Sequence, residues 1–189
     1  MNALPSHSGP DDRDIFGVIA EALERRGFAV VPAALPPGLA DALFAHFKSL
    51  RHVDFRTAGV GRVEQHQVNP FVRRDTVHWL DAGAPAAAAY LAWTEGLRLG
   101  LNRRLFLGLF DYECHYAFYP PGAFYKRHVD AFRGDTNRVV TTVAYLNPNW
   151  QPGDGGELVL YGGDGHDVRT TVAPASWAAP CSTRSRRPE

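Results

Sequence analysis

The feature that most constrains the fold of this chain is a change in the spacing of apolar residues at Gly108. Before this residue the apolar positions recur at helical spacing. After it they fall in short runs separated by Gly, Pro and Asp. Helices followed by a succession of short strands predict an α+β chain, in which helices support a β-sandwich or barrel. The length of 189 residues suits one domain with a sizeable core.

The local patterns place the elements as follows. Capping residues and apolar periodicity predict the helices, and alternating runs predict the strands. The stretch without sustained periodicity is expected to be a long irregular region. In chain order we predict a loose leader over 1–10, a helix over 11–27, a strand over 28–31, a helix over 39–50, the irregular region over 52–81, a helix over 85–106, and strands over 110–118, 138–146, 157–161 and 168–172.

Charge and cysteine content argue against several classes of partner. Lysine plus arginine equals aspartate plus glutamate, at 20 each, which gives no support to nucleic acid or a membrane surface. No apolar stretch approaches the roughly 20 residues that cross a bilayer. The N-terminus has no apolar signal region. Cys114 and Cys181 are too few and too far apart for a disulfide framework. We therefore expect a cytoplasmic protein.

The pair His128 and Asp130 carries the chemistry. In an extended segment residues two apart point to the same face, so this imidazole and this carboxylate can bind one metal ion. They would form two thirds of the 2-His-1-carboxylate triad that holds Fe(II) with open coordination positions. A short His-x-Asp pattern also occurs in many solvated loops. Its context therefore decides between a metal site and a loop.

That context is an ordered series of motifs around the pair. The series resembles the prolyl-4-hydroxylase-like branch of the 2-oxoglutarate oxygenases, and within it bacterial prolyl hydroxylases similar to the hypoxia-sensing prolyl hydroxylases of animals. The resemblance covers about residues 70–172. Its members are Tyr119-Pro120-Pro121-Gly122, Tyr125, His128, Asp130, Arg138, Val143-Ala144-Tyr145-Leu146-Asn147, Trp150 and Gly155-Gly156-Glu157-Leu158.

The resemblance implies a distorted double-stranded β-helix, a jelly-roll or cupin-like barrel, buttressed by the N-terminal helices. It implies His128 and Asp130 as Fe(II) ligands, with Tyr145 on the far carboxylate of 2-oxoglutarate and Tyr119 lining that pocket. The expected reaction hydroxylates C4 of a proline in a protein substrate. It consumes O2 and 2-oxoglutarate, releases succinate and CO2, and uses ascorbate as a reductant. Both tyrosines also fit a core role with a satisfied hydroxyl.

Upstream, Val72-Arg73-Arg74-Asp75 and Trp79 resemble the Arg-Gly-Asp segment that flanks the substrate-entry loop of these hydroxylases. Arg73, Asp75 and Arg138 are therefore predicted to bind substrate. Arg74 stands where the family has glycine, and it would strain any backbone that requires positive φ. The alternative is that Arg73, Arg74 and Asp75 are solvated surface charges.

The pattern breaks after Pro174. The family continues with a further strand, a distal histidine ligand and an arginine that pairs with 2-oxoglutarate. Residues 175–189 contain no histidine and show no strand alternation. We divide the chain into the leader, a helical support region with the substrate-loop segment over 11–107, a partial oxygenase β-core over 108–174, and an aberrant tail over 175–189. The barrel is expected to be incomplete at its C-terminal end.

Our hypothesis for this break is a frameshift, natural or from sequencing, that has replaced the C-terminal residues of the family. If Ser176 is encoded AGC or AGT, the codons of residues 175–185 can be read one nucleotide earlier. That frame encodes a leucine, a glycine and later an apolar pair, which corresponds to the turn and apolar strand that the family has at this place. His166 is a poor substitute for the distal ligand, because it lies in a Gly- and Asp-rich turn ahead of the expected position. Without the distal histidine and the arginine, we expect little or no activity.

Two other functions stay open at this point. The chain could be a non-catalytic module that keeps the peptide groove of the family. It could also be a cupin-like metal protein that uses His128 and Asp130 with His115 or His166.

Overall fold

The computed structural model describes residues 14–58, 71–128, 138–162 and 165–174, together with the backbone of residues 178–183. The predicted leader lies outside these ranges, as do Asp11 and Asp12 of the first predicted helix. Within the described part, no helix combines the length and the apolar character needed to span a bilayer.

The helices begin and end where the sequence supplies capping groups. In α1 (Ile15–Arg26), the Asp14 carboxylate accepts the Gly17 N–H at 3.0 Å, and Gly27 closes the helix at φ 76°. Helix α2 spans Leu39–Ser49. Helix α3 spans Pro85–Leu105, with proline in its first turn, where the missing N–H costs nothing. The three predicted helices are confirmed.

The strands form antiparallel sheets. Strand β1 is Phe28–Pro32, β2 is Arg56–Thr57, β3 is Thr76–Trp79, β4 is His115–Phe118, β5 is Val140–Thr142, β6 is Leu158–Tyr161, β7 is Val168–Val172 and β8 is Ala178–Thr183. Their order is β1-β8-β5 in one sheet and β2-β3-β4 in a second, while β6 pairs with β7. A short 3₁₀ helix, His52–Asp54, precedes β2.

Two apolar clusters join the helices to the sheets. The first packs α1 and α3 around β1, with Ile19 and Leu101 almost fully buried. The second packs α2 against β4, through Leu43 and Tyr116. Trp93 of α3 contacts both clusters, so α3 is the element that connects the two halves of the core.

The irregular region predicted over 52–81 is partly wrong, because β2 and β3 lie inside it. In β3, Val77 is buried and its neighbours on either side are more exposed. Four residues with one buried position are too few to show a periodicity. The strand forms because it pairs with β4 along Thr76–Trp79, a partner that lies about 40 residues away in the sequence.

The strand predicted over 110–118 is wrong for its first half, since β4 begins at His115. The preceding segment packs on α3 instead. Leu109 accepts hydrogen bonds from Arg98 and Asn102, and the Tyr112 hydroxyl donates to the Leu91 carbonyl oxygen at 3.0 Å. Phe110 consequently points outward, with 83% exposure, although the alternation predicted a buried face. The strand predicted over 138–146 is likewise reduced to β5.

The prediction of no strand after Pro174 is also wrong. Residues 178–183 form β8, which pairs antiparallel with β1 from Phe28↔Ser182 to Pro32↔Ala178 and with β5 on its other side. Backbone N–H and C=O groups make these pairings, so a segment without side-chain alternation can occupy a central strand position.

The close contact of α1 with α3 gives a stability prediction. A Cβ atom at Gly100 would lie 3.0 Å from the Phe16 Cβ. We expect Gly100→Leu to lower the free energy of unfolding by about 1–3 kcal/mol through overpacking. Chemical denaturation followed by circular dichroism measures this change. The control, Ala92→Leu on the exposed side of the same helix, should stay within about 0.5 kcal/mol of wild type; equal losses in both variants would contradict the close packing.

Candidate active site

The segment upstream of β3 is fixed beside the segment that leads to His128. Arg73 and Tyr125 form an antiparallel bridge. The Arg74 N–H donates to the Phe124 carbonyl oxygen at 2.9 Å, and the Lys126 N–H donates to the Val72 carbonyl oxygen at 2.8 Å. The predicted substrate segment and the predicted metal-ligand segment are therefore neighbours in space.

Arg73 and Asp75 form a bidentate ion pair inside the protein. Arg73 Nε lies 2.7 Å from Asp75 Oδ1, and a terminal guanidinium nitrogen lies 2.5 Å from Oδ2. The two side chains are 13% and 0% exposed. Burial by itself would lower the pKa of Arg73, but the hydrogen bond and the charge of Asp75 outweigh it and raise the pKa. The interpretation of these two residues as solvated surface charges is wrong, while Arg74 is exposed.

Tyr119 joins the same group. Burial raises the pKa of its hydroxyl, and the negative charge of Asp75 and a hydrogen bond to that carboxylate raise it further. The hydroxyl therefore stays protonated and donates to Asp75. The predicted role of Tyr119 in lining the 2-oxoglutarate pocket stays a prediction, with its hydroxyl directed to the ion pair.

The imidazole of His128 is held on two sides. Its Nδ1 donates to the Lys126 carbonyl oxygen at 2.7 Å, because that oxygen can only accept. The ring stacks on Tyr125, with centroids 3.6 Å apart and planes 14° apart. A proton on Nδ1 leaves the lone pair of the neutral ring on Nε2, which is the arrangement of a histidine that ligates a metal. His128 thus fits the proposed Fe(II) site.

The second predicted ligand, Asp130, lies outside the described residues, so its placement relative to His128 stays a prediction. Among residues 14–58, 71–128, 138–162 and 165–174, no three His, Cys, Asp or Glu side chains are grouped closely enough to hold a metal ion. Because Asp130 is not among them, this observation tests neither the iron site nor the alternative cupin-like site with His115 or His166.

Tyr145 keeps its hydroxyl proton at physiological pH. Burial raises its pKa to about 12, helped by the negative charge of Glu157, although a hydrogen bond from the Leu158 N–H acts in the opposite direction. A phenol in this state can donate to a carboxylate, as the predicted contact with 2-oxoglutarate requires. That contact stays a prediction.

His115 lies beside the ion pair. Its ring meets Trp79 edge to face at 4.9 Å. Partial loss of solvent around the ring lowers its pKa, and the positive charges of Arg73 and Arg138 lower the pKa further. Arg138 is exposed near this group, and its predicted contact with substrate stays a prediction.

Sequence reasoning missed two residues next to His128. Tyr125 belongs to the motif series, but no role follows from its spacing, because residues three apart do not share a strand face. Arg127 donates to the Gly165 carbonyl oxygen and lies 5.1 Å from the Tyr161 ring centroid. Arg127 therefore connects the turn between β6 and β7 to the segment that contains His128. Arg127 and Gly165 are 38 positions apart in the sequence.

Comparisons with known proteins identify the family of this chain. The profile of the 2OG-Fe(II) oxygenase superfamily matches residues 114–182. A crystal structure of a Pseudomonas putida prolyl-4-hydroxylase is 38% identical, with a TM-score of 0.79, over 89% of this chain and 87% of that one. This chain belongs to the prolyl-hydroxylase-like 2-oxoglutarate oxygenases. No curated protein sequence matches it.

A second structure shares the fold of this oxygenase. It is a prolyl hydroxylase from Trichoplax adhaerens in complex with a peptide fragment of the hypoxia inducible factor oxygen degradation domain. It is 22% identical, with a TM-score of 0.71, over 89% of this chain and 78% of that chain. The fold shared by these oxygenases is the predicted double-stranded β-helix. The profile match begins next to β4 and ends in β8, so it contains His128 and Tyr145.

The buried ion pair gives a stability prediction. Asp75→Ala removes one partner and leaves the Arg73 guanidinium largely buried without its carboxylate. We expect the free energy of unfolding to fall by about 3–5 kcal/mol, measured by chemical denaturation. Glu21→Ala breaks an exposed ion pair with Arg25. The Arg25 side chain is 75% exposed and the Glu21 side chain 64%. This control should cost no more than about 1 kcal/mol; similar losses would contradict the burial of Asp75.

The tyrosine pKa gives a pH prediction. Because the folded pKa of Tyr145 is about 12 and the ordinary value is 10.0, the folded state holds this proton more tightly than the unfolded state. The associated stability is complete below pH 10 and is lost as the pH rises toward 12. The free energy of unfolding of wild type should therefore fall more steeply in this interval than that of Tyr145→Phe. Parallel curves for the two proteins would contradict the shift.

Proposed function

We propose that this oxygenase hydroxylates a prolyl residue of a protein substrate, with Fe(II) as its metal and 2-oxoglutarate as its co-substrate. Succinate and CO2 are the co-products, and ascorbate serves as the reductant. The observation that carries the proposal is the state of His128. Its Nδ1 proton is committed to the Lys126 carbonyl, which puts the ligand lone pair on Nε2. The 38% identity to a bacterial prolyl-4-hydroxylase supports the substrate class.

In this proposal, His128 and Asp130 hold the iron. Bound Fe(II) with 2-oxoglutarate supplies the oxidising power by activating O2. The chain itself supplies orientation. The Tyr145 hydroxyl, kept protonated by burial, donates to the far carboxylate of 2-oxoglutarate. Tyr119 lines the same pocket while its hydroxyl remains on Asp75.

The substrate approaches over Arg73, Asp75 and Arg138. Asp75 is 1% exposed, so its part is to hold Arg73 rather than to touch the substrate. Trp79, at the end of β3, is 53% exposed and offers an aromatic surface to an incoming peptide. Exposed aromatic rings bind proline-containing peptides in several recognition domains.

We further propose that residues 175–189 come from a shifted reading frame. They contain no histidine, so the site as encoded has two of its three protein ligands. Strand β8 nevertheless pairs with β1 and β5. On this proposal, the given chain keeps the sheet of the family and binds Fe(II) weakly. A shifted frame without an apolar strand, a histidine and an arginine would contradict the frameshift.

The absence of histidine from residues 175–189 also favours a second candidate function. In that case the protein would be a peptide-binding remnant that has lost its chemistry. It would keep the entry segment with Arg73 and Trp79 and would bind a proline-containing peptide without Fe(II).

Anaerobic addition of Fe(II) and 2-oxoglutarate tests the function. We expect the chain with its reading frame restored after Pro174 to develop a weak visible charge-transfer band that bleaches when O2 is admitted. The given chain should show a much weaker band, and His128→Ala in the restored chain should show none. Mass spectrometry of a proline-containing peptide should then detect one added oxygen. Metal uptake without the band would contradict the oxygenase and favour a cupin-like metal protein, and peptide binding without metal would favour the remnant.

A further inference from the structure

We infer that Tyr125 is a positioning residue for His128, and that it connects the imidazole to the buried ion pair of the entry segment. The connection runs from Asp75 through Arg73 and Tyr125 to His128. Its effect on metal affinity rests on the proposed role of His128 as a ligand. The stacking itself does not depend on that role.

Tyr125 is sandwiched between a cation and an imidazole. The Arg73 Cζ lies 4.3 Å from the Tyr125 ring centroid, and the His128 ring centroid lies 3.6 Å from it. Two planar groups at these distances cannot share one face of a six-membered ring. Arg73 and His128 therefore lie on opposite faces of Tyr125, in a three-layer stack.

The outer layer of the stack is rigid. Asp75 holds the Arg73 guanidinium through two hydrogen bonds, which fix the orientation of its plane as well as its position. The carboxylate is fully buried and also accepts the Tyr119 hydroxyl. The backbone bridge between Arg73 and Tyr125 adds a second link between the same two residues. Tyr125 thus has little freedom to rotate away.

The inner layer sets the direction of the ligand lone pair. The lone pair of an imidazole nitrogen lies in the ring plane, so the tilt of that plane decides where Nε2 points. The hydrogen bond from Nδ1 to the Lys126 carbonyl fixes one edge of the ring but allows it to pivot about that bond. Stacking on the face of Tyr125 prevents this rotation of the imidazole ring. Residues that orient a ligating histidine affect the affinity for the metal. Their mutation typically lowers this affinity by about 10-fold to 100-fold.

The same bridge contains a matched control. One residue along each segment, the Arg74 Cζ lies 4.9 Å from the Phe124 ring centroid. Successive side chains of an extended segment point to opposite faces, so this cation–ring pair faces away from the stack. It has the same chemistry and the same local backbone. Phe124→Leu is therefore the control for Tyr125→Leu.

The test measures the full-length protein without metal by NMR with ¹⁵N-labelled histidine. We expect Tyr125→Leu to remove the ring-current displacement of the His128 resonances and to move its tautomer ratio toward that of an unconstrained imidazole. Tyr125→Phe should restore both, because the ring remains. Arg73→Lys should move them partly, since a lysine keeps the charge near Asp75 but loses the planar contact. Phe124→Leu should leave them unchanged.

A titration with Co(II) of the same variants, made in the chain with its reading frame restored after Pro174, measures the consequence for the ligand. Tyr125→Leu should weaken the affinity by about 10-fold to 100-fold, and Tyr125→Phe and Phe124→Leu should not. The inference is overturned if the His128 resonances do not change in a folded Tyr125→Leu protein. It is also overturned if Phe124→Leu changes them as much as Tyr125→Leu does. If Tyr125→Leu does not fold, unchanged resonances in Arg73→Lys overturn it. Absence of Co(II) uptake by the frame-restored chain without these substitutions contradicts the proposed function instead, and the NMR result then decides the stack separately.

Discussion

The arrangement around His128 depends on one buried ion pair, between Arg73 and Asp75. A buried pair of this kind contributes little net stability compared with apolar residues of the same size, because both charges lose their hydration. Its value in this protein is positional. It fixes the plane of a guanidinium against Tyr125 and accepts the Tyr119 hydroxyl, next to the backbone bridge that joins Arg73 to Tyr125. Removing one partner would leave a charge inside the protein.

The helices support this placement through strands β4 and β3. Trp93 of α3 contacts both apolar clusters, and Tyr116 of β4 is buried in the second one. Strand β4 is therefore anchored on the helices, and β3 is anchored on β4 along its whole length. Asp75 precedes β3 by one residue. The position of the ion pair thus follows from the packing of residues that take no part in the chemistry.

Fold and chemistry are separable at the C-terminal end. Backbone groups pair residues 178–183 with β1 and β5, and this pairing does not require an alternation of polar and apolar side chains. A metal ligand, by contrast, requires a specific side chain, and residues 175–189 contain no histidine. The architecture of a prolyl-hydroxylase-like oxygenase therefore depends less on particular side chains in this segment than a metal site would.

The sequence by itself determined the helices and the family, because helix caps, helical periodicity and ordered motifs are local signals. Asp14 and Gly27 mark the two ends of α1, and the series from Tyr119 to Leu158 indicates an oxygenase. Only the tertiary structure decided that Phe110 turns outward, that β3 and β8 are strands, and that Tyr125 lies between Arg73 and His128. Each of these depends on a partner far away in the chain. Long-range pairing and burial override local pattern wherever a short segment has no strong preference of its own.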